Sequence, residues 1–264
     1  MDTYTNSSKK EQYIFNTIKL GKKMEYMKSI DTTQKKIHER AAQGEPEGYL
    51  VLSDKLTNAR GRFNRDFFTT TGGLYFSILL RPKISPNQSS LVSLAAGASV
   101  SLGIEDQTSL ITELKWPNDC LINGRKVCGV IAESIISKEK IEYIAIGFGI
   151  NVNFPRSMLP KSIHKKATTL FEECNCTFFL PKLLNQILVH LEELYDNIQA
   201  GKKQEILDVW RKRNILKNRE VEIEENNGTV LKIRVIDIDP EGNLVAKSKH
   251  GIQHFTTGEI IKIY

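Results

Sequence analysis

Three arginines lie within six residues of one another, at Arg60, Arg62 and Arg65, and Gly61 separates the first two. Phe67 follows closely, and neither a helical nor a strand period fits the stretch. A guanidinium group presents paired donors in a plane, which match the oxygens of a carboxylate or a phosphate. The stretch therefore predicts a loop that holds an anionic ligand.

A second charged set begins at the pentapeptide KWPND, which runs from Lys115 to Asp119. A proline beside an aromatic residue predicts a stiff corner, from which an ammonium group, the amide of Asn118 and a carboxylate project together. The Asn-Gly pair at 123–124 lies between apolar runs and is typical of a two-residue hairpin turn. We expect this turn to bring Lys126 back beside the strand that carries Lys115.

Glycines accompany these charges. Gly129 lies three positions after Lys126, and the stretch GFGINVN (147–153) ends a predicted strand with two glycines and two asparagines. Glycine lets a ligand lie directly against backbone, and Asn151 or Asn153 can bind amides and hydroxyls. Together with the lysines and arginines, this set suits a nucleotide phosphate beside a carboxylate substrate.

Hydrophobic periodicity and turn residues predict the elements that carry these groups. The predicted strands are 23–30, 48–54, 73–82 and 140–154, and the predicted helices are 32–44, 85–104, 180–198 and 204–213. The first helix is expected to begin at Asp31 or Thr32. After residue 214, short strands alternate with turns, which predicts a small all-β barrel of about fifty residues. Helices mixed with antiparallel hairpins indicate the α+β class.

Composition narrows the classes of function. The 264 residues are 40% hydrophobic and carry a modest formal net charge of +6, which fits a small anionic ligand or an acidic partner at least as well as nucleic acid. No apolar run is long enough for a membrane span, and the N-terminus lacks a secretory signal. The four cysteines form no CxxC pair, which indicates reduced cytoplasmic thiols, and no metal site is predicted.

The order of these motifs resembles that of the biotin–protein ligases. KWPND, then K-x-x-G-[IV], then G-x-G-x-N-x-N is the family pattern, the arginine loop is similar to the family's G-R-G-R-x-x-R-x-W, and DTTQ (31–34) stands where the family has Ser-Thr-Asn. The resemblance covers roughly residues 20–264. It implies a mixed β-sheet with helices on one side, similar to class II aminoacyl-tRNA synthetases, and a C-terminal SH3-like β-barrel. The expected boundaries are an extension at 1–22, a catalytic domain at 23–213 and the barrel at 214–264.

The resemblance implies a reaction in two steps: biotin and ATP give biotinyl-5'-AMP with help from Mg²⁺, and a lysine of a biotin carboxyl carrier domain then takes the biotinyl group. Catalytic roles fall to Lys126, Asp119 and Arg62, with the arginine loop as a lid. The implied biotin-binding residues are Thr32, Thr33, Gln34, Arg60, Gly61, Arg62, Lys126 and Gly129. The implied ATP- and adenylate-binding residues are Arg62, Arg65, Phe67, Lys115, Asn118, Lys126 and Asn151.

The sequence also departs from the family pattern. Leu56 stands where the family usually has a glutamine that binds the biotin ureido ring, which leaves the identity of the acid more open than the reaction. Lipoate–protein ligase and a non-catalytic protein that holds biotin or its adenylate are therefore the alternatives. Too few residues precede the catalytic part for a helix-turn-helix module, so we expect no operator binding. A homodimer is compatible with the resemblance.

Overall fold

The computed structural model describes residues 12–264 and centres on a seven-stranded sheet. Its strands are β1 Met24–Met27, β2 Leu50–Ser53, β3 Leu74–Leu80, β4 Glu113–Lys115, β5 Asp119–Ile122, β6 Arg125–Ser137 and β7 Lys140–Ile150. They lie in the order β1-β2-β3-β7-β6-β5-β4, and only the β1–β2 pair is parallel in this sheet. Strand β7 therefore lies in the middle, with β3 on one side and β6 on the other.

The turn at 123–124 joins β5 to β6, and both of its residues have positive φ, 51° at Asn123 and 71° at Gly124. Positive φ at both central positions is what a type I′ hairpin turn requires. The prediction that Lys126 lies beside the strand of Lys115 is wrong, because Lys115 lies on β4, Lys126 lies on β6 and these two strands are not neighbours. Strand β5 runs between them, because the corner at KWPND reverses the chain once before the hairpin reverses it again.

Five helices surround the sheet: α1 Thr33–Ala42, α2 Ser89–Glu105, α3 Leu170–Cys174, α4 Leu180–Gln199 and α5 Gln204–Arg213. The long helices α2 and α4 share the main core with Leu50 and Leu52 of β2. Val51 points the other way and packs with Ile37 of α1. Successive strand residues face opposite sides of a sheet, so α1 covers the face opposite α2 and α4. The expectation of helices on one side holds for the two long helices and not for α1.

Strands β8 Glu220–Glu224, β9 Val230–Ile238, β10 Leu244–Ser248, β11 Gly251–Phe255 and β12 Glu259–Ile263 form a second, antiparallel sheet. Its order is β11-β10-β9-β8-β12, and its closure into a barrel stays a prediction. We call residues 214–264 the C-terminal unit. Its apolar residues belong to the main core, and the buried indole of Trp116 donates to the carbonyl of Gly242, 3.2 Å away. The KWPND corner is thus fixed against the C-terminal unit.

Part of the predicted N-terminal extension packs on the larger unit. Phe15 and Leu20 are buried in the main core. The carboxylate of Glu192 on α4 accepts the backbone N–H groups of residues 18, 19 and 20 at 2.5–2.9 Å. Residues 12–22 are therefore structurally continuous with the core, whereas the rest of the predicted extension lies outside the described residues. No helix in the described range is both long and apolar enough to cross a membrane.

Candidate active site

A cavity of about 250 Å³ opens on the α1 face of the large sheet. Four segments enclose it: the start of α1, the arginine loop, the KWPND corner and the start of β12 in the C-terminal unit. Of the residues predicted to bind ligand, the structure places these at the cavity: Thr32, Thr33, Gln34, Arg60, Gly61, Arg62, Arg65, Phe67, Lys115, Asn118, Asp119, Lys126 and Gly129. Segments far apart in sequence thus converge on one space.

The floor of the cavity is made of glycines on β6 and β7. Gly129 and Gly149 are opposite one another in the ladder. A Cβ atom at position 149 would lie 2.6 Å from the ring of Phe67, and one at position 129 would lie 2.9 Å from Cε and Nζ of Lys126. A methyl group at either position would therefore force the ring of Phe67 or the end of the Lys126 side chain to move. The glycines therefore let Phe67 and Lys126 lie against the sheet itself.

Asp119 lies between the two lysines. It is the register partner of Lys115 on β4 and of Gly129 on β6, and its Oδ1 is 2.5 Å from Nζ of Lys126. The backbone of Lys126 is held on its other side, because its N–H donates to the carbonyl of Lys166 at 2.8 Å. The cation–carboxylate pair is therefore positioned by backbone on both sides, and both groups face the cavity.

Lys115 is enclosed more deeply than an ordinary lysine. Its ammonium group donates to the carbonyl of Ile260 in the C-terminal unit at 2.8 Å. Burial lowers the pKa of Lys115, and the nearby carboxylate of Asp119 offsets part of this effect. An anion in the cavity would supply the negative charge that this lysine lacks.

The arginine loop folds as a narrow hairpin. The N–H of Gly61 donates to the carbonyl of Arg65 at 2.8 Å, and that of Phe67 donates to Ala59 at 3.2 Å. Gly61 has φ of −91°, a value open to any residue, and the left-handed residue is Phe63 with φ of 54°. The conformation that the loop adopts here therefore does not require a glycine at position 61.

The three arginines have different partners. Arg60 pairs with Asp66 of its own loop, whereas Arg62 donates to the carbonyl of Gly258 at 3.0 Å and to Oγ1 of Thr257 at 3.1 Å. Burial lowers the pKa of Arg62.

Arg65 forms an ion pair with Glu259 and lies 3.7 Å from Glu224. Two of the three arginines are thus held by the C-terminal unit, although the sequence presents all three as one group.

The end of the cavity beneath α1 is polar on one side. Thr32 caps α1 by accepting the N–H of Lys35 at 2.9 Å, which leaves Thr33 and Gln34 in the first turn beside Ser77 of β3. Oγ of Ser77 is 2.8 Å from Oγ1 of Thr33. Leu56 lines the cavity as well and contributes only apolar surface.

The two asparagines predicted to bind the nucleotide differ in position. Asn118 lines the cavity, and its amide donates to the carbonyl of Val130. Asn151 is buried away from the cavity, where its amide donates to the carbonyl of Thr168 at 3.0 Å. The structure therefore does not place Asn151 among the residues that line the cavity, and its amide secures the segment around Thr168; its assignment to the ATP site stays a prediction.

Sequence reasoning missed Ser77 and Glu259. Ser77 was detectable, since it is the one small polar residue in the otherwise bulky and apolar strand LYFSILL and is fully buried. Glu259 gave no comparable signal, because its place at the cavity depends on how the C-terminal unit docks. Its carboxylate, like those of Asp66 and Asp119, is paired with a cation. Among residues 12–264, no group of three or more His, Cys, Asp or Glu side chains is arranged to hold a metal ion.

The glycine-lined cavity on the mixed sheet, with two lysines around one carboxylate, is a site that suits anionic substrates. The chain belongs to the biotin/lipoate A/B protein ligase family, whose sequence model matches residues 26–151, and the biotin protein ligase C-terminal domain matches residues 218–262. The α+β class inferred from the sequence is confirmed by these matches and by solved structures.

Named relatives agree with this assignment. The bifunctional ligase/repressor BirA of Bacillus subtilis is 31% identical over 242 residues, which span 91% of this chain and 74% of that protein. The biotin–[acetyl-CoA-carboxylase] ligase of Mycobacterium tuberculosis is 28% identical over 78% of this chain and 76% of its own length. Among solved structures, the biotin protein ligase of Aquifex aeolicus in complex with biotin and ATP superposes with a TM-score of 0.79 at 28% identity, covering 92% of this chain and 99% of that one.

Proposed function

We propose that this enzyme activates biotin with ATP as biotinyl-5'-AMP and transfers the biotinyl group to one lysine of a biotin carboxyl carrier domain. The observation that carries the proposal is the convergence of Lys126, Asp119 and Lys115 over a glycine floor, next to Arg62. The names of the relatives, which include biotin–[acetyl-CoA-carboxylase] ligases, support the choice of acid and acceptor. The free cysteines of the described chain would stay reduced in the cytoplasm, and we place the enzyme there.

The first step joins two anions. A carboxylate oxygen of biotin attacks the α-phosphorus of ATP, and the bond from that phosphorus to the pyrophosphate oxygen breaks. Lys126 reaches over the glycine floor, so its ammonium group can contact both the carboxylate and the α-phosphate and offset their repulsion. Lys115 and Arg65 add positive charge at the rim for the phosphates, and Phe67 supplies an apolar surface beside Gly149.

The adenylate then has to be kept from water. Arg62 is the most deeply enclosed of the three loop arginines that line the cavity, and it links the loop to the C-terminal unit. A loop held over the cavity in this way excludes solvent from a mixed anhydride that water would hydrolyse. We therefore assign the arginine loop the role of a lid.

In the second step the amine of the acceptor lysine attacks the acyl carbon, and AMP leaves with the anhydride oxygen. A lysine with a reference pKa of about 10.4 is protonated at neutral pH and must lose a proton first. Asp119 is the carboxylate placed to orient that ammonium group and accept its proton.

Mg²⁺ fits this scheme as part of the nucleotide substrate. The cavity carboxylates Asp66, Asp119 and Glu259 are each paired with a lysine or arginine, so no dedicated cation cage exists among the residues described at the cavity. Mg²⁺ is commonly held by substrate phosphates together with one or two carboxylates. The ion would neutralise phosphate charge. Asp119 would be its protein ligand if Lys126 exchanged the ion pair with Asp119 for contacts with the substrate.

One incubation tests the proposal and its alternatives. The enzyme is mixed with MgATP, a biotin carboxyl carrier domain and either biotin or lipoate, and the carrier is measured by intact mass spectrometry while pyrophosphate is assayed in parallel. We expect pyrophosphate release and one added biotinyl group on the carrier. Lipoyl transfer would instead support the lipoate ligase, which the apolar Leu56 favours, and no pyrophosphate with either acid would support a non-catalytic binding protein.

A further inference from the structure

Lys126 lies at an irregular position of the large sheet. Its partner on β5 is Leu121, whereas Cys120, one residue earlier on β5, is the partner of Cys128, so β6 contains one extra residue at this point. A bulge of this kind disrupts the hydrogen bonds of the ladder locally. On its other side, β6 pairs with β7 only over residues 128–137. The ladder with β7 therefore does not extend to Lys126.

A segment from outside the strands takes the place of β7. The N–H of Lys126 donates to the carbonyl of Lys166 at 2.8 Å, and the carbonyl of Lys126 accepts the N–H of Thr168 at 2.9 Å. These two bonds form an isolated parallel bridge between Lys126 and Ala167. The amide of Asn151 holds the carbonyl of Thr168 at 3.0 Å. Because the bridge is a single one, side chains have to hold the segment 166–168 in place.

Glu173 joins this segment to the hairpin that carries Lys126. Its side chain is 6% exposed. Nη2 of Arg125 donates to Oε1 at 2.8 Å, and the hydroxyl of Thr168 donates to the same oxygen. The amide of Asn123, in the hairpin turn, donates to Oε2 at 2.9 Å. One buried carboxylate therefore bonds the turn, the residue next to Lys126 and the segment opposite Lys126.

The short helix α3 fixes the direction of this carboxylate. Thr169 caps the helix by accepting the N–H of Glu172 at 3.0 Å, and Asn175 ends it with a left-handed φ of 51°. Burial raises the pKa of Glu173, but the three donated hydrogen bonds and the charge of Arg125 lower it on balance. The carboxylate is therefore ionised at neutral pH and makes charge-assisted hydrogen bonds, which are the stronger kind.

We propose that Glu173 is a positioning residue for adenylate formation: it ties the β5–β6 hairpin to the segment 166–168 and so holds Lys126 over the glycine floor. This inference rests on the proposed function, in which Lys126 offsets the repulsion between the carboxylate of biotin and the α-phosphate. Glu173 acts through the backbone of Lys126, because the residues that line the cavity include Lys126 and neither Glu173 nor Arg125.

The test measures the two half-reactions separately in Glu173→Gln. An amide has one acceptor oxygen where the carboxylate has two, so the side chain keeps its size and loses part of its bonding. We expect kcat for biotin-dependent pyrophosphate release to fall about ten- to a hundred-fold, with KM for biotin and the rate of transfer from supplied biotinyl-5'-AMP to the carrier domain within about twofold of wild type. A general loss of folded enzyme would lower both half-reactions equally.

Two further variants sharpen the test. Glu172→Gln is the matched control on the same helix, since its carboxylate accepts the N–H of Arg156 at 3.2 Å and is 35% exposed, and both half-reactions should be unchanged. Thr168→Val removes only the hydroxyl bond to Glu173 and keeps the backbone bond to Lys126. Pyrophosphate release should then fall about three- to tenfold, again without loss of transfer. Thermal unfolding establishes that each variant is folded.

Pyrophosphate release at the wild-type rate in Glu173→Gln, or equal loss of both half-reactions in a folded variant, would overturn the inference. If Glu173→Gln does not fold, Thr168→Val decides, and an unchanged rate of pyrophosphate release in that variant would count against Glu173. Failure of the wild-type enzyme to release pyrophosphate with biotin would instead overturn the proposed function, before any variant is measured.

Discussion

The floor of the cavity and its arginine loop are built in opposite ways. The floor belongs to β3, β6 and β7, which are joined to one another along their length, and its glycines contact the ligand-facing side chains directly. The loop has a few backbone hydrogen bonds of its own, and two of its arginines are held by residues about 195 positions away in the chain. The floor is fixed by the hydrogen bonds of the sheet, whereas the position of the loop depends on how the C-terminal unit docks.

This contrast suggests a division of labour. Lys126, Asp119 and Gln34 are held by the sheet, so they can present fixed charges and acceptors to the reacting acid. Arg65 lies on the surface, with 54% of its side chain exposed, and exposed ion pairs contribute little energy. Changes in the floor should therefore affect the chemical step most, and changes in the loop should mainly affect retention of the adenylate.

The largest effect is expected from Lys126→Ala. It removes the cation that lies over the floor and leaves Asp119 without its ion-pair partner, with Lys115 as the remaining lysine beside it. Adenylate formation should fall by about 10³-fold or more, since loss of one preorganised electrostatic group costs about 10²–10³. Biotin-dependent pyrophosphate release measures it, with Lys140→Ala on the exposed part of β7 as the control. An unchanged rate would remove Lys126 from the centre of the mechanism.

A methyl group on the floor should also be costly. Gly149→Ala would place Cβ 2.6 Å from the ring of Phe67, so the ring must leave the floor. We expect kcat/KM for ATP to fall about ten- to a hundred-fold, because small displacements of positioning groups are expensive in catalysis. The matched change Gly124→Ala, in a hairpin turn with open space around it, should affect folding only. Equal kinetics for wild type and Gly149→Ala would show that a Cβ atom at position 149 fits beside Phe67 without affecting catalysis, which would contradict the prediction.

In the loop, Arg62→Gly should separate formation of the adenylate from its retention. The variant loses the hydrogen bonds to Thr257 and Gly258, while Lys126 and Asp119 stay in place. Adenylate should escape and label lysines of a bystander protein, with labelling about tenfold or more above the wild type. Mass spectrometry of serum albumin added to the reaction measures this. Labelling confined to the carrier domain would refute the assignment of the loop as a lid.

The pH dependence of nucleotide binding should report Lys115. Because burial lowers its pKa, it loses its proton at a lower pH than the reference value of about 10.4. Phosphate binding needs the ammonium form, so affinity should be complete at neutral pH and decline as pH rises through the lowered pKa. Fluorescence titration with MgATP from pH 7 to about pH 10 follows the decline. Lys115→Arg, which stays charged throughout, should remove it, and a decline that persists in this variant would point to another group.

Sequence reasoning reached those parts of the site that local patterns determine. The hairpin at 123–124, the cap at Thr32 and the glycine at 129 each follow from residue type and immediate neighbours, and the structure brings all of them to the expected place. The hydrogen bond from the amide of Asn151 to the carbonyl of Thr168 could not be inferred, because it joins two segments that no local pattern brings together.

The contribution of the C-terminal unit could not be inferred in the same way. Residues such as Gly258 and Glu259 look like an ordinary turn and strand, and their role arises only when two units pack together. The same holds for the side of the sheet that α1 covers, which is set by Ile37 and Val51 meeting across the layer. Local chemistry is readable from sequence, and long-range docking is not.

The smallest expected effect tests whether docking matters for binding. Glu259→Gln removes the ion pair with Arg65, which is worth about 0.2–1 kcal/mol for an exposed pair. If the C-terminal unit positions the loop, the affinity for MgATP should fall about two- to five-fold while biotin binding stays constant. Glu220→Gln, which breaks a similar pair with Lys232 away from the cavity, is the control. Tighter ATP binding in Glu259→Gln would contradict this role of the C-terminal unit. It would mean that the ion pair between Arg65 and Glu259 has to break before the phosphates can bind, so that the C-terminal unit restrains the loop and does not position it for ATP.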